Sequence, residues 1–455
     1  MDMFDLLVVG GGPGGYLCAE RAAQGGLTVA LFEKRALGGT CLNEGCIPTK
    51  TLLNSSKMYR HAMESAAFGV TAEGVTYDHA KVIHRKNKVV NTLVSGIGAT
   101  MKANRVTVIS ANATVTGRVE GGFAVKADGE TYTGRRLVLA TGSKAVIPPI
   151  PGMMEGLAAG FVLTNREVLE ETTLPKKLVA IGGGVIGLEM AYYFASVGVD
   201  VTVIEMMPKI AGGTDPEICK VLTDAFTKRG MKFKLSCKVL EVKPGCVVYE
   251  ENGEAKEIAC DKVLISAGRR PSTAGIGVAS LELEMDRAAI KVDSHLCTNI
   301  PGVYAIGDCN GKMMLAHVAY REAEVAVNHM LGIPDEMRYD AIPAVIYTDP
   351  EVASVGLSKA AAETRGIPVK EVKLPMSYAG RYLAETEGGK GFIKLVVDTQ
   401  RKCLVGCQMV GAYASEIIMT ATMMVDTALP VDRLEKLVFP HPTVAEIIRE
   451  AIFHI

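Results

Sequence analysis

The chain has 455 residues, too many for a single hydrophobic core, so several domains are expected. Its 48% hydrophobic residues and formal charge of −1 are those of a globular protein with no general attraction for nucleic acid or anionic lipid. Eleven cysteines scattered along so long a chain exclude a secreted disulfide scaffold. Met1-Asp2-Met3-Phe4-Asp5 leads directly into a strand, no basic presequence or membrane-spanning apolar run is read, and the cytoplasm is the expected location.

Phe4 to Val9 reads as a buried strand. Gly10-Gly11-Gly12-Pro13-Gly14-Gly15 follows, with the G-x-G-x-x-G glycines at Gly10, Gly12 and Gly15. Tyr16 to Gln24 reads as a helix and Leu27 to Phe32 as a second strand, closed by Glu33. Glycines in this order let backbone approach a pyrophosphate at a helix N-terminus, and the acid accepts hydrogen bonds from a ribose diol.

Next comes Gly38-Gly39-Thr40-Cys41-Leu42-Asn43-Glu44-Gly45-Cys46-Ile47-Pro48-Thr49-Lys50. Pro48 marks a helix start, and a thiolate at a helix N-terminus is stabilised by the dipole. On its own the C-x4-C spacing fits either a reactive dithiol or two core cysteines. Thr51 to about Ala103 has helical character, with Val82, Val89, Leu93, Ile97 and Met101 as its expected apolar stripe. From Val106 the period becomes two. Thr114 to Ala127, with a turn at Asp128-Gly129, reads as hairpin structure running into Leu137-Val138-Leu139-Ala140. Thr141-Gly142-Ser143 breaks that strand, and Pro148, Pro149 and Pro151-Gly152 mark a boundary.

The plan then repeats. Lys177 to Ile181 reads as a strand, Gly182-Gly183-Gly184-Val185-Ile186-Gly187 as the second fingerprint, and Val199 to Ile204 as a strand closed by Glu205. The interval from Gly182 to Glu205 equals that from Gly10 to Glu33. A hairpin turning at Asn252-Gly253 and a strand ending in Ser266-Ala267-Gly268 mirror the first copy, so an internal duplication is inferred. Glu205 suits a free 2′-hydroxyl and repels a 2′-phosphate, which predicts NAD rather than NADP here. Lys209 reads as a solvated surface charge. Only the first copy carries Cys41, Cys46 and Lys50. Two nucleotide sites and one dithiol exchange electrons only through a carrier that accepts from thiols and passes on hydride. A flavin does both, so the first site is assigned FAD.

Asp308, after the strand expected within Leu296 to Ile306, suits either a turn or a ribityl hydroxyl. Ala316 to Leu331 reads as a helix. From about Ala341, strands at 345–347, 352–356, 392–397 and 404–410 predict an antiparallel sheet, with helices at 415–427 and 431–438. Cys403 and Cys407 read as core cysteines, and no metal site is expected. In Phe439-Pro440-His441-Pro442-Thr443-Val444-Ala445-Glu446, two prolines hold a histidine, Thr443 is placed to cap a helix, and Glu446 is close enough to fold back on the imidazole.

These motifs resemble those of the pyridine nucleotide–disulfide oxidoreductase family, over essentially the whole chain. The most specific are Gly38 to Lys50 and His441-Pro442-Thr443 with Glu446. The resemblance implies an α/β protein: two Rossmann-like domains, for FAD (1–146, with the dithiol insertion) and NAD (147–268), a central segment returning to the FAD site (269–340), and a C-terminal α+β dimerisation domain (341–455). It implies a homodimer in which one subunit's C-terminal domain completes the other's active site. It implies a redox disulfide of Cys41, the interchange thiol, and Cys46, the thiol against the flavin. Lys50 and Glu189 would pair near the flavin, with His441 and Glu446 as base and partner. FAD would contact Gly10, Gly12, Pro13, Gly14, Gly15, Glu33, Lys34, Gly39, Thr40, Lys50, Ala113, Thr141, Gly142, Ser143, Asp308, Met314, Leu315, Ala316 and His317. NAD would be held by Gly182, Gly183, Gly184, Val185, Ile186, Gly187, Glu205 and Gly268. The branch most resembled oxidises dihydrolipoyl groups on carrier proteins or on lipoyl domains of 2-oxo acid dehydrogenase or glycine cleavage complexes, with no nucleic acid or membrane partner. A sibling NADH-dependent reductase of another disulfide is the alternative. Glu44, Thr49, Phe439 and the pair Glu322-Ala323 depart from the usual family pattern.

Overall fold

The computed structural model describes residues 3–455; Met1 and Asp2, where the sequence reading begins, lie outside the described residues. Phe4–Val9, Val29–Phe32 and Thr107–Ile109 form the parallel half of a seven-stranded sheet, in the order 107–109, 29–32, 4–9. Glu130–Leu139 joins them parallel to Phe4–Val9 and is also the last strand of the antiparallel meander Ala113–Val119, Gly122–Ala127, Glu130–Leu139. Val303–Ala305 completes the sheet beside Glu130–Leu139, so the chain re-enters this unit after leaving it for more than a hundred residues. Parallel strands covered on both faces are continuously apolar, and Leu6, Leu7, Val8, Leu31, Leu137 and Val138 are fully buried.

The second unit repeats the design with separate sheets. Lys232–Leu235, Asp200–Glu205, Lys177–Ile181, Lys262–Ile265 and Val162–Leu163 make five parallel strands, and residues 238–259 fold as a three-stranded antiparallel sheet. A short antiparallel ribbon, Ser143–Ala145 against Arg269–Pro271, joins the two units where each broken strand exits. Ser272 N donates to Gly142 O at 2.8 Å and Val146 N to Gly268 O at 3.0 Å, so each closing glycine receives a bond from the other's strand.

In the C-terminal unit the sheet order is Ala344–Ile346, Glu351–Gly356, Cys403–Gly411, Phe392–Asp398, Val369–Pro375. One face carries Ala414–Thr427 and Glu446–Ile452 over Leu395, Cys407 and Met409; the other sets Ile346, Val352, Phe392 and Val410 against the second unit. Cys403 and Cys407 are buried in this sheet. Lys394, 5% exposed, reaches Asp215 at 2.9 Å and Glu217 at 3.1 Å across the junction. Asp215 also accepts from Glu217 N and Ile218 N, capping the helix Pro216–Lys228.

Several sequence expectations are corrected. The helix His79–Ala103, capped by Asp78, buries His79, Ile83, Lys86, Val90 and Met101. Of the predicted stripe only Met101 is buried, and Leu93 is exposed. Apolar neighbours at 82–83 and 89–90 left two faces possible, and the buried Lys86, 2.6 Å from Glu170, belongs to the face chosen. Within Leu296 to Ile306 only Val303–Ala305 is a regular strand, because Leu296 is left-handed (φ 64°) and Pro301-Gly302 turns the chain. The helix expected at 431–438 is confined to Val431–Leu434, and Val438 stands 96% exposed. The antiparallel strand Val369–Pro375 and the exit ribbon have no counterpart in the sequence reading.

Candidate active site

Both glycine loops are built from the same clash. Gly10 has φ +108°, and a Cβ there would lie 2.3 Å from Ala140 O; Gly182 has φ +105°, and a Cβ would lie 2.5 Å from Ser266 O. A Cβ on Gly12 would meet nothing closer than 3.9 Å and one on Gly184 nothing within 4 Å, so open space faces each helix N-terminus. Neither the helix Pro13–Gln24 nor Val185–Ser196 has a side-chain cap, which leaves backbone N–H donors for an anion. Glu33 Oε2 accepts from Gly11 N at 2.8 Å, and Glu205 Oε2 from Gly183 N at 2.6 Å; Glu205 Oε1 accepts from Met207 N at 2.8 Å. The acids thus hold their own loops open beside the ribose position.

The first loop has further donors and acceptors to spare. Thr141 Oγ1 is buried with no hydrogen-bond partner. Asp308 meets Ser143 Oγ, which also accepts from Arg269 Nε at 2.8 Å. The helix Ala316–Met330 begins after Met314 and Leu315 without a side-chain cap, and His317 Nε2 is fixed 2.8 Å from Pro343 O. Ala113 is buried at the start of its strand. Lys34 is exposed beside Glu33. Glycine clearance, uncapped helices and an orphaned hydroxyl fit a flavin dinucleotide, and the second loop fits a nicotinamide dinucleotide.

Lys209 is not a solvated charge. Its Nζ donates to Gly212 O and Thr214 O, both at 2.6 Å, and folds the loop after Glu205 onto itself. With that cation committed, the loop presents Glu205 and the exposed Met206 and Met207, with no free cation among them for a 2′-phosphate.

The cysteine insertion lies directly on the first loop. Gly38 N donates to Gly11 O at 2.8 Å, and a Cβ on Gly39 would lie 2.7 Å from Gly12 Cα. Thr40 follows as part of the short helix Gly39–Glu44, which carries Cys41; Asn43 Nδ2 ties it to Leu37 O and Gly39 O at 3.0 and 2.9 Å. Cys46 is the first residue of the helix Cys46–Met63. The two thiols are unbonded neighbours. Hydrogen bonding from Cys41, helped by the Lys50 cation and the helix N-terminus, pulls Cys46 below the ordinary thiol range, while the same hydrogen bond and burial push Cys41 up. The pair therefore favours the proton on Cys41 and the charge on Cys46.

Lys50 Nζ reaches Glu189 Oε2 at 2.8 Å, and Glu189, 3% exposed, also accepts from Tyr347 N at 2.9 Å. Lys50 lies 4.4 Å from the centre of the Tyr347 ring. This joins the dithiol helix, the second glycine helix and the C-terminal unit.

His441 Nδ1 stands 2.8 Å from Glu446 Oε1, with the imidazole 79% exposed. Thr443 does not cap the following helix by its hydroxyl, which bonds Pro440 O; Thr443 N instead donates to Glu446 Oε2 at 2.8 Å. That backbone bond and then His441 hold the Glu446 carboxyl below its usual range. His441 has no side-chain hydrogen bond to Cys41 or Cys46 among the described residues.

Other residues join the site that the sequence does not mark as functional, Glu322 and Glu44 standing out there only as departures from the family pattern. Glu322, fully buried, accepts from Asn310 Nδ2 at 2.9 Å and Tyr339 OH at 2.7 Å beneath the turn bearing Asp308, and burial pushes it up to about 7. Tyr16 and Tyr320 join hydroxyls between the helices Pro13–Gln24 and Ala316–Met330. Arg35, Asn165, Arg166 and Arg269 converge around Glu44 and Ser143.

Comparison with known proteins gives the same outline. The family model described as pyridine nucleotide-disulphide oxidoreductase matches residues 4–323, and that of its dimerisation domain matches 342–452. The chain is similar to dihydrolipoyl dehydrogenase of Chlamydia muridarum (strain MoPn / Nigg), at 37% identity covering 99% of this chain and 96% of that protein. Dihydrolipoyl dehydrogenase of Bacillus subtilis (strain 168) is 36% identical, covering 98% and 95%. Among solved structures, LpdA from Mycobacterium tuberculosis superposes with a TM-score of 0.89 at 25% identity, covering 99% of each chain. The HOCl-induced flavoprotein disulfide reductase RclA from Escherichia coli superposes at 0.87 and 25%, again covering 99% of each.

Proposed function

Because the chain belongs to the pyridine nucleotide–disulfide oxidoreductase family, whose members use FAD and NAD(H), we propose that it oxidises dihydrolipoyl groups to lipoyl groups with NAD+ as acceptor. The observation that carries this reading is the polarised thiol pair: Cys46 at a helix N-terminus over the Lys50–Glu189 pair, with Cys41 beside it. Residues 1–146 and 269–340 form the flavin side, 147–268 the nicotinamide side and 341–455 the dimer face. A dihydrolipoyl arm on a carrier protein or lipoyl domain is the proposed partner. The remaining cysteines, most of them buried, suit a reducing compartment, and the cytoplasm is the proposed setting.

Glu446 accepts a hydrogen bond from the His441 Nδ1–H, which leaves Nε2 to take a proton from a substrate thiol. His441 serves the dithiol of the partner subunit, as its exposure on the dimerisation unit supports. The substrate thiolate attacks Cys41 Sγ of the Cys41–Cys46 disulfide. The bond between the two sulfurs breaks, and Cys46 leaves as a thiolate beside Lys50. The second substrate thiol then gives its proton to Cys41 as its sulfur displaces Cys41 from the mixed disulfide, closing the substrate disulfide and leaving the enzyme with two electrons, one proton on Cys41, one on His441, and Cys46 as thiolate. A bound FAD would supply two-electron chemistry between the thiol pair and a nicotinamide. Gly12 and the helix Pro13–Gln24 would hold its pyrophosphate, Glu33 its ribose, and Gly184 with Glu205 the second nucleotide.

An anaerobic titration of the yellow holoenzyme with dihydrolipoamide, followed by visible absorbance, tests the reading. A long-wavelength band, then NADH formation on adding NAD+, is the expected result. A flavin that NADH reduces but dihydrolipoamide leaves oxidised would move the substrate to another disulfide, the reading that likeness to RclA favours.

A further inference from the structure

Glu44 stands between the two cysteines, two residues before Cys46, with its side chain only 13% exposed. A largely buried carboxylate needs partners, and this one has two, both arginines. Arg35 pairs with Oε1. Arg166 forks onto both oxygens, Nε to Oε2 at 2.7 Å and a terminal nitrogen to Oε1 at 3.1 Å. The Glu44 carbonyl accepts from Asn165 Nδ2 at 2.8 Å. Arg35 follows the first nucleotide acid by two residues, whereas Asn165 and Arg166 follow the edge strand Val162–Leu163 of the second unit. Asn165 Oδ1 in turn faces Arg269, at 3.4 Å, on the ribbon that crosses between the units. The turn separating Cys41 from Cys46 is therefore bolted at one side chain to both nucleotide units.

We propose that Glu44 is a positioning residue: clamped by Arg35 and Arg166, it fixes the Cys41–Cys46 turn against the second nucleotide unit and offsets the arginine charge that would otherwise act on the Cys46 thiolate. The inference rests on the assignment of Cys41 and Cys46 as the redox pair. Cys46 is faced by Cys41 from the helix Gly39–Glu44, by Lys50 on its own helix and by Glu189 from the second glycine helix. Tyr320, Tyr347 and Arg269 face it from the remaining sides. Among these neighbours Lys50 is already matched by Glu189. Arg269, which feels Cys46, is offset first by Asp308 and then by Glu44, and Arg35 and Arg166 pair with Glu44 directly, so the Glu44 charge enters the balance on that side.

The opposite signs of two substitutions test this. In Glu44→Gln, Arg35 and Arg166 lose their counter-charge and Cys46 becomes easier to ionise. In Arg166→Met, the Glu44 charge is under-matched and Cys46 becomes harder to ionise. The reduced holoenzyme is alkylated with iodoacetamide from about pH 5 to about pH 9, and the rate at each cysteine is read by peptide mass spectrometry, with long-wavelength absorbance followed on the same samples. The expected result is a midpoint for Cys46 ionisation about half a pH unit lower in Glu44→Gln and about half a unit higher in Arg166→Met, each a threefold change in thiolate fraction. The double variant returns toward the parent. Equal midpoints, or shifts of the same sign in both variants, overturn the charge-positioning role and leave a loosened turn as the explanation. Should Glu44→Gln fail to fold, an unshifted or lowered midpoint in Arg166→Met alone overturns it. A holoenzyme in which no two-electron thiol couple appears at all would instead overturn the redox assignment itself.

Discussion

Nδ1 of His441 and Oε1 of Glu446 lie 2.8 Å apart, and a second Glu446 oxygen is held by Thr443 N at the same distance. Because the carboxylate is anchored by backbone, it fixes the ring rather than following it. Replacing His441 with Gln should slow dihydrolipoamide oxidation by about a hundredfold to ten-thousandfold, while NADH reduces the flavin at the parental rate. Rapid-mixing measurements of the two half-reactions check this; equal losses in both would remove His441 from the thiol step. Glu446→Gln should cost less, about tenfold, because the ring keeps its position.

Lys50 is the cation facing Cys46, and its effect adds to the hydrogen bond from Cys41. Lys50→Met should raise the pH at which Cys46 ionises, by about one unit. A thiol whose folded value is depressed carries charge above that value and loses it as pH falls through it. Activity limited by the Cys46 thiolate should therefore fail at a higher pH in the variant than in the parent. The pH profile of the long-wavelength absorbance of the reduced enzyme reads the shift directly.

Glu205 is the group proposed to set nucleotide choice. Its carboxylate is held by Gly183 N and Met207 N, and Lys209 is occupied by its own loop. Glu205→Ala should weaken NAD about tenfold, by the loss of charge-assisted hydrogen bonds to a ribose diol. It should at the same time admit NADPH, since the repulsion of a 2′-phosphate is gone. Steady-state KM values for both nucleotides decide it; an unchanged preference would place selectivity elsewhere in the loop.

The buried pair Lys394–Asp215 welds the C-terminal sheet to the capped helix Pro216–Lys228. Asp215→Ala removes the cap and the nearer of the two carboxylates on Lys394, leaving it Glu217, and should destabilise the chain by about 2 kcal/mol or more. Lys394→Met leaves Asp215 its two backbone donors and should cost less than loss of the cap. The carboxylates around Lys394 raise it despite burial, so its contribution is complete below the ordinary lysine range and is lost only as pH rises through the raised value. Thermal unfolding between about pH 6 and pH 9 should show the same gap between the two variants throughout.

Much of this architecture is legible in local chemistry. A strand, three glycines, a helix and an acid cannot be rearranged without the clash at Gly10 or Gly182, so both nucleotide loops declare themselves. Pro48 announces the helix that makes Cys46 reactive, and two prolines around His441 announce a held imidazole. What stays hidden depends on distant partners. Nothing within residues 79–103 tells which of two neighbouring valine and isoleucine stripes will face Glu170. Glu44 looks like an anomaly until Arg166, more than a hundred residues later, is beside it. Lys209 reads as surface because its acceptors are backbone carbonyls, which carry no sequence identity.

The openness of His441 has a genetic corollary. On the proposed reading that His441 serves the partner's dithiol, the dithiol and the base of one working centre sit on two copies of the chain. A subunit with Cys41 replaced by Ser and a subunit with His441 replaced by Gln are each inert as pure dimers. Co-expressed, they would form mixed pairs in which the intact dithiol of one meets the intact imidazole of the other. Two loss-of-function alleles of this kind would complement, and a single null allele of either kind would spoil every mixed dimer by one centre rather than two.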